Sequence, residues 1–154
     1  MEAALPRSTD ARLRRKNKRR LTIDLDSTED PAHGKQEGVA YNGHFAKNCF
    51  HPLFCFTSEG DCLRAKLRPG NVHSADGTLP FITPLVERYR PWFQLFWLRS
   101  DAAFANPETY EYCEEHRMTY FIRLPSSKNL DRLVAPHLSR PGPTAPERHS
   151  GQDR

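Results

Sequence analysis

Asp24 and Asp26 stand two residues apart in the segment Leu21-Thr22-Ile23-Asp24-Leu25-Asp26-Ser27-Thr28. Leu21, Ile23 and Leu25 alternate with Thr22, Asp24 and Asp26, so a strand here has one apolar face and carries both carboxylates on the other. Aspartate is a poor strand former, and two like charges on one face repel. Carboxylates held on a rigid element in this way suit a hard divalent cation, which takes oxygen ligands. A third acid, Asp101, follows the apolar run 92–98 in Leu98-Arg99-Ser100-Asp101. An aspartate just after a strand is also an ordinary cap or turn former, so Asp101 has two readings. Should it approach the first strand's acids, the group could hold metal for an in-line phosphoryl displacement. Arg99 is expected to pair with a neighbouring acid.

The elements that would have to position these acids follow from pattern. After the first strand, Glu29-Asp30-Pro31 ends the alternation, and a Gly-, Lys- and Asn-containing loop runs to about Ala46. Residues 48–57 are rich in aromatics and read as a strand, with Pro52 marking a bulge or a sheet edge. Ser58-Glu59-Gly60-Asp61 is a turn and 62–67 the return strand of a hairpin. Asp76-Gly77-Thr78 can cap a helix to Arg90 with Leu79, Ile82, Leu85, Val86 and Tyr89 on one face. Pro84 inside it argues for a later start at Thr83. The run 92–98 reads as a fully buried central strand. Asn106-Pro107 opens a second helix, 119–124 is a short strand, and Pro125-Ser126-Ser127 can cap a third helix containing Leu130, Leu133 and Val134, stopped by Pro136. Three strands in an antiparallel meander, followed by strands separated by helices, give the order of the ribonuclease H-like mixed α/β architecture.

Charge divides the chain. Residues 1–20 carry eight Arg and Lys against Glu2 and Asp10, a net +6, while all 154 residues sum to +4. The basic character therefore belongs to the N-terminal segment, read as a disordered arm whose Arg14, Arg15, Lys16, Arg19 and Arg20 are candidate DNA contacts. Residues 21–138 form the expected domain, and 139–154, rich in Pro, Gly, Ser and charge, a disordered tail. No apolar run nears the ~18 residues of a membrane span, and no signal-peptide pattern is visible. Cys49, Cys55, Cys62 and Cys113 form no CxxC pair. They read as reduced, buried thiols of an intracellular chain rather than zinc ligands. The aromatics Phe50, Phe54, Phe56, Trp92, Phe93, Phe96 and Trp97 cluster in apolar runs and are expected in the core.

The stretches Ile23-Asp24-Leu25-Asp26-Ser27-Thr28-Glu29-Asp30-Pro31, His33-Gly34-Lys35-Gln36-Glu37-Gly38, Tyr41-Asn42-Gly43, Ala65-Lys66-Leu67-Arg68-Pro69-Gly70-Asn71 and Arg99-Ser100-Asp101-Ala102-Ala103-Phe104 together resemble the catalytic domain of bacterial insertion-sequence transposases. The group in question is group 1 of the DDE superfamily. The resemblance implies a ribonuclease H-like fold, Mg²⁺ or Mn²⁺, and cleavage and strand transfer at transposon DNA ends in a bacterial cytoplasm, at the nucleoid. It maps the second catalytic acid onto Asp101 and the first onto Asp26 or Asp24, with Asp26-Ser27-Thr28 matching the Asp-x-Ser/Thr pattern that closes the first strand. Lys35, Gln36, Lys66 and Arg68 become candidate DNA contacts, though a solvated loop explains Lys35 and Gln36 equally well and ordinary surface charge explains Lys66 and Arg68 better.

Two departures stand out. Ala102 and Ala103 replace the Ser-Gly of the family's second acidic motif, and a Gly-to-Ala change matters where positive φ is needed. After Arg123 the only Glu is Glu147, in the Pro-rich tail, whereas the family's third acid is a Glu on a later helix. The expectation is a truncated transposase, inactive alone. A non-catalytic remnant that binds DNA or a full-length transposase is the alternative, and a complete nuclease drawing its third acid from Glu37, Glu108 or Glu111 is a further one.

Overall fold

The computed structural model describes residues 7–15, 18–34 and 36–137. Its elements run α1 (Arg7–Arg15), β1 (Arg20–Ser27), β2 (Asp30–Pro31), β3 (Ala40–Asn42), β4 (Lys47–Phe50), β5 (Leu53–Thr57), β6 (Cys62–Lys66), α2 (Thr78–Tyr89), β7 (Leu95–Ser100), α3 (Pro107–Glu115), β8 (Thr119–Ile122) and α4 (Lys128–Val134). Five strands form one sheet in the order β6-β5-β1-β7-β8. β1 pairs antiparallel with β5, and β5 with β6. On its other side β1 pairs parallel with β7, and β7 with β8. This is the expected mixed α/β meander followed by parallel strands.

One face of that sheet makes the core. Leu21, Ile23 and Leu25 of β1 are buried with Leu53, Cys55, Leu63, Phe96 and Leu98, under Phe81, Ile82, Leu85, Val86 and Tyr89 of α2 and Tyr112 and Cys113 of α3. Helix α2 starts at Thr78 rather than slipping to Thr83, and keeps Pro84 inside. Proline within a helix costs about 3 kcal/mol. Each of the four buried aliphatic and Phe side chains of α2 (Phe81, Ile82, Leu85 and Val86) contributes about 1.5–3 kcal/mol, so burial outweighs the lost backbone bond. Local caps behave as read: the Asn106 side chain accepts from Thr109 N at 2.8 Å with Pro107 following, and Ser127 accepts from Leu130 N at 3.2 Å. α4 buries none of its residues.

Several expectations give way. The N-terminal segment is not wholly a disordered arm: residues 7–15 are helical, with Leu13 buried in the core and Asp10 bonded to Arg88 and to the Tyr89 hydroxyl. Hydrophobic contact at one position and ion pairing at another hold a segment whose composition is that of a solvated one. Lys16, residues 1–6 and the expected tail 139–154 lie outside the described residues.

The stretch read as a loop to Ala46 contains a second, three-stranded sheet, β2-β4-β3. The run 48–57 breaks at His51-Pro52 into β4 and β5, which belong to different sheets. The run 92–98 is not buried throughout. β7 starts at Leu95 and buries Phe96 and Leu98, while Leu95 is exposed and Trp97 half-buried. Phe54, Phe56 and Trp97 lie on the sheet face opposite the core, where Phe54 stacks on Phe56 and Trp97 leans on Phe121.

Candidate active site

Register places the acids. In the parallel β1–β7 pair, Asp24 lies opposite Arg99. Two residues further along each strand come Asp26 and Asp101, and a two-residue step returns each side chain to the same face. Adjacent strands are about 4.8 Å apart. Asp26, inside β1, and Asp101, the residue after β7, thus both come at the carboxyl ends of neighbouring parallel strands. In this sheet the strand order turns back at β1: chain-successive strands lie to one side and β7 and β8 to the other. Open α/β sheets hold ligands at such carboxyl-end positions.

Asp24 is on the same face but engaged. Arg99 grips it with two parallel bonds, Nε to Oδ1 and Nη2 to Oδ2, both 2.5 Å. This is the acid partner expected for Arg99, and the hydrogen bond to Asp24 holds the guanidinium pKa above its ordinary value. Asp26 and Asp101 are both exposed, and each spends one oxygen on local backbone. Asp26 Oδ1 accepts from Ser27 N at 2.8 Å, and Asp101 Oδ1 accepts from Ala103 N at 3.0 Å. Asp101 is therefore a cap for the 3-10 turn Ala102–Phe104 without giving up its second oxygen. The Oδ2 atoms of both acids make no hydrogen bond among the described residues.

The Ala102-Ala103 departure costs the turn nothing. Positive φ among the described non-glycine residues occurs only at Ala46 and Arg117, so this turn has no need of glycine.

The donor set fits a hard divalent ion incompletely. Two exposed carboxylates with a free oxygen each are suitable ligands for a metal that keeps several waters. Among the described residues no group of three or more His, Cys, Asp or Glu could hold a metal. Glu108 and Glu111 lie exposed on α3 and Glu37 in the exposed loop before β3, and none of them completes such a group.

The expected DNA contacts are spread over several elements; Lys66 lies two strands from Ser27, at the same end of the sheet as Asp26. Arg20 starts β1, opposite Leu95, so six residues of strand, about 20 Å, separate it from Asp26. Arg20 stacks on Trp97, Arg14 on Trp92, and Arg19 bonds Gln94; Arg15 is exposed. Lys66 is half-buried at the end of β6 and Gln36 exposed. Lys35 lies outside the described residues.

Arg68 is a correction in kind. It is 5% exposed, and it donates to the carbonyls of His51, Ser74 and Asp76 at 2.8, 3.0 and 2.7 Å. It knits the 73–76 loop to the start of β5 and presents no face to a phosphate. Next to it, a Cβ on Gly70 would come within 2.4 Å of the Cys49 carbonyl and 2.6 Å of that of Ala40.

A pocket of about 590 Å³ is walled by the β3–β4 turn, the 71–74 loop, His51 and Ala103, whose N–H bonds Asp101. Residue spacing could not reveal it, because its walls come from four separated segments with no shared motif.

The sequence matches the family described as Transposase DDE domain group 1 over residues 4–152. No curated protein matches it. Among solved structures, the piggyBac transposase in a synaptic complex with hairpin DNA superposes with a TM-score of 0.50 at 14% identity, covering 78% of this chain and 26% of that one. The Drosophila P element transposase in its strand transfer complex gives a TM-score of 0.33 at 10% identity, over 86% of this chain and 37% of the other. The first likeness establishes the fold. The chain thus spans about a quarter of the first relative's length.

Proposed function

From its membership of the transposase DDE domain group 1 family, we propose that this chain acts in DNA transposition, with Asp26 and Asp101 as the paired metal-holding acids of a DNA cleavage and strand-transfer site. One observation supports the assignment: the parallel register sets Asp24 opposite Arg99, and Asp26 and Asp101 each follow two residues later, with one carboxylate oxygen that makes no hydrogen bond among the described residues. It favours Asp26 over Asp24 as the first acid, because the Asp24 carboxylate is already matched by a bidentate arginine. DDE domains generally use divalent metals, and Mg²⁺ or Mn²⁺ is the ion proposed here. When bound, such an ion activates the attacking oxygen and steadies the leaving one.

The protein's own residues do the positioning. The Ser27 and Ala103 N–H groups each bond one oxygen of a carboxylate and so fix its rotation. The Asp24–Arg99 pair keeps a third negative charge on this face neutralised, so the local field does not exceed what the cation itself offsets. The solved relative is a complex with hairpin DNA, and DNA ends are the proposed substrate class.

Mn²⁺ titration followed by amide NMR tests the site without requiring turnover. Paramagnetic broadening should centre on Ser27, Ala102 and Ala103 and vanish in Asp26→Asn and Asp101→Asn. Broadening centred elsewhere, or unchanged in both variants, would sink the assignment. A metal-dependent nicking assay on duplex DNA then separates a competent site from the second reading, DNA binding without cleavage. That second reading is favoured by one fact: no third carboxylate joins the pair among the described residues.

A further inference from the structure

The two edges of the five-stranded sheet are built differently. At the β6 edge the pairing with β5 is interrupted by a register shift between Cys55 and Phe56, and the strand carries Arg64 and Lys66. Bulges and charged side chains are the usual means by which an edge strand is kept from pairing with another chain. The β8 edge has neither. Its register with β7 runs unbroken from Trp97–Thr119 to Ser100–Ile122, and Thr-Tyr-Phe-Ile contains no charge, proline or glycine. Among the described strands β8 pairs with β7 alone, so the backbone groups along its other side have no strand to bond. The chain that follows is itself exposed at residues 123–129, and α4 buries none of its residues, so neither shields the strand.

The side chains of β8 divide between two faces. Tyr120 and Ile122 pack against the core, which turns Thr119 and Phe121 to the opposite face. There Arg20 stacks on Trp97 at 3.9 Å, and Trp97 leans on Phe121 at 5.1 Å between ring centroids. This row crosses β1, β7 and β8 and stops at the sheet edge on Phe121, which is 50% exposed. The last ring of the row is open to a further strand.

We infer that the free edge of β8 pairs antiparallel with β8 of a second copy of this chain, joining two five-stranded sheets about a two-fold axis. The strand matches itself. Residues directly opposite in an antiparallel pair share a face, so the axis must lie between a residue and its own counterpart. With the axis at Phe121, Phe121 meets Phe121 of the second copy, Tyr120 meets Ile122, and Thr119 meets Arg123. Aromatic faces aromatic on the outer side, apolar faces apolar on the core side, and no like charges stand opposite. An axis at Tyr120 would set Phe121 against Thr119 and lose the aromatic pair. Such self-complementarity is what a two-fold interface requires, and it selects a second copy over an unrelated strand. The irregular, charged β6 edges end the joined sheet, so assembly closes at two copies.

Sedimentation equilibrium of the full chain over a concentration series tests this, together with hydrogen exchange of the β8 amides. The parent protein should pass from one chain to two as concentration rises, and the amides of residues 119–123 should become protected in step. Phe121→Glu and Phe121→Arg, each checked for folding by circular dichroism, should remain single chains, because like charges then face each other across the axis. An equimolar mixture of the two variants should regain the two-chain mass, since unlike charges now meet. A parent protein that stays a single chain at every concentration overturns the proposal. Doubling without protection of β8, doubling that survives in either variant alone, or growth beyond two copies also overturns it. A mixture that remains single chains overturns the pairing about Phe121.

Discussion

Asp24→Asn and Asp26→Asn are chemically identical substitutions two residues apart on one strand face, and the structure assigns them opposite consequences. Asp24 gives both oxygens to Arg99. That pair is largely solvated, with side-chain exposures of 28% for Asp24 and 51% for Arg99. An exposed ion pair contributes about 0.2–1 kcal/mol, with bidentate geometry at the upper end and solvent screening reducing it. A domain of this size loses about 3–5 °C of Tm per kcal/mol. Asp24→Asn should therefore lower Tm by no more than a few degrees, shrinking further in high salt, and should leave Mn²⁺ broadening near Ser27 and Ala103 in place. Asp26 makes one local bond, to Ser27 N, which an asparagine amide oxygen can also accept. Asp26→Asn should leave Tm nearly unchanged and abolish the broadening. Thermal melts at low and high salt, with Mn²⁺ titrations of both variants, decide the matter. If Asp24→Asn removes metal binding while Asp26→Asn keeps it, the register argument is wrong and Asp24 is the first acid.

Other regions allow independent checks. Leu13→Ala should cost about 2 kcal/mol or more in urea unfolding, because Leu13 is buried in the core; no change would mean that the N-terminal helix does not dock. Gly70→Ala should cost more than that, since its Cβ would collide with two backbone carbonyls, and a variant of parental stability would contradict that close approach. Burial pushes the Cys113 thiol up to about 11 and raises that of Cys55 further. The neutral thiols are favoured in the folded state, so their stabilisation is complete below the ordinary thiol value near 9. It is lost as pH rises from there through the folded values. Urea midpoints should fall across that range, and Cys113→Ser should flatten the fall; a flat profile for the parent protein would refute the effect.

Much of the architecture was legible from one-dimensional pattern. The period-two alternation of Leu21, Ile23 and Leu25 with Asp24 and Asp26 names both the strand and its faces, because side-chain direction alternates whatever the neighbours are. Asn106-Pro107 and Pro125-Ser126-Ser127 announce helix starts for equally local reasons. The order of elements then restricts topology to a meander followed by parallel strands, as observed. The three acids could be listed from residue type alone.

Tertiary structure decided what local pattern does not encode. Whether Asp24 or Asp26 is free depends on which residue of β7 lies opposite, and that register is set by packing between segments more than 70 residues apart. Arg68 looks like a surface cation in the sequence, but carbonyls from two separate segments, His51 and the 74–76 loop, fold around it. Residues 7–15 have the charge of a solvated arm, and Leu13 and Asp10 find partners only once α2 and the sheet exist. Phe54, Phe56 and Trp97 read as core because hydrophobicity does not say which face of a sheet a helix will cover. The pocket of Tyr41, Phe45, His51 and His73 has no linear signature, since it exists only where the small sheet, a loop and the end of β7 converge. Residue types and periodicity fix local form, and long-range register and packing choose which of those residues meet.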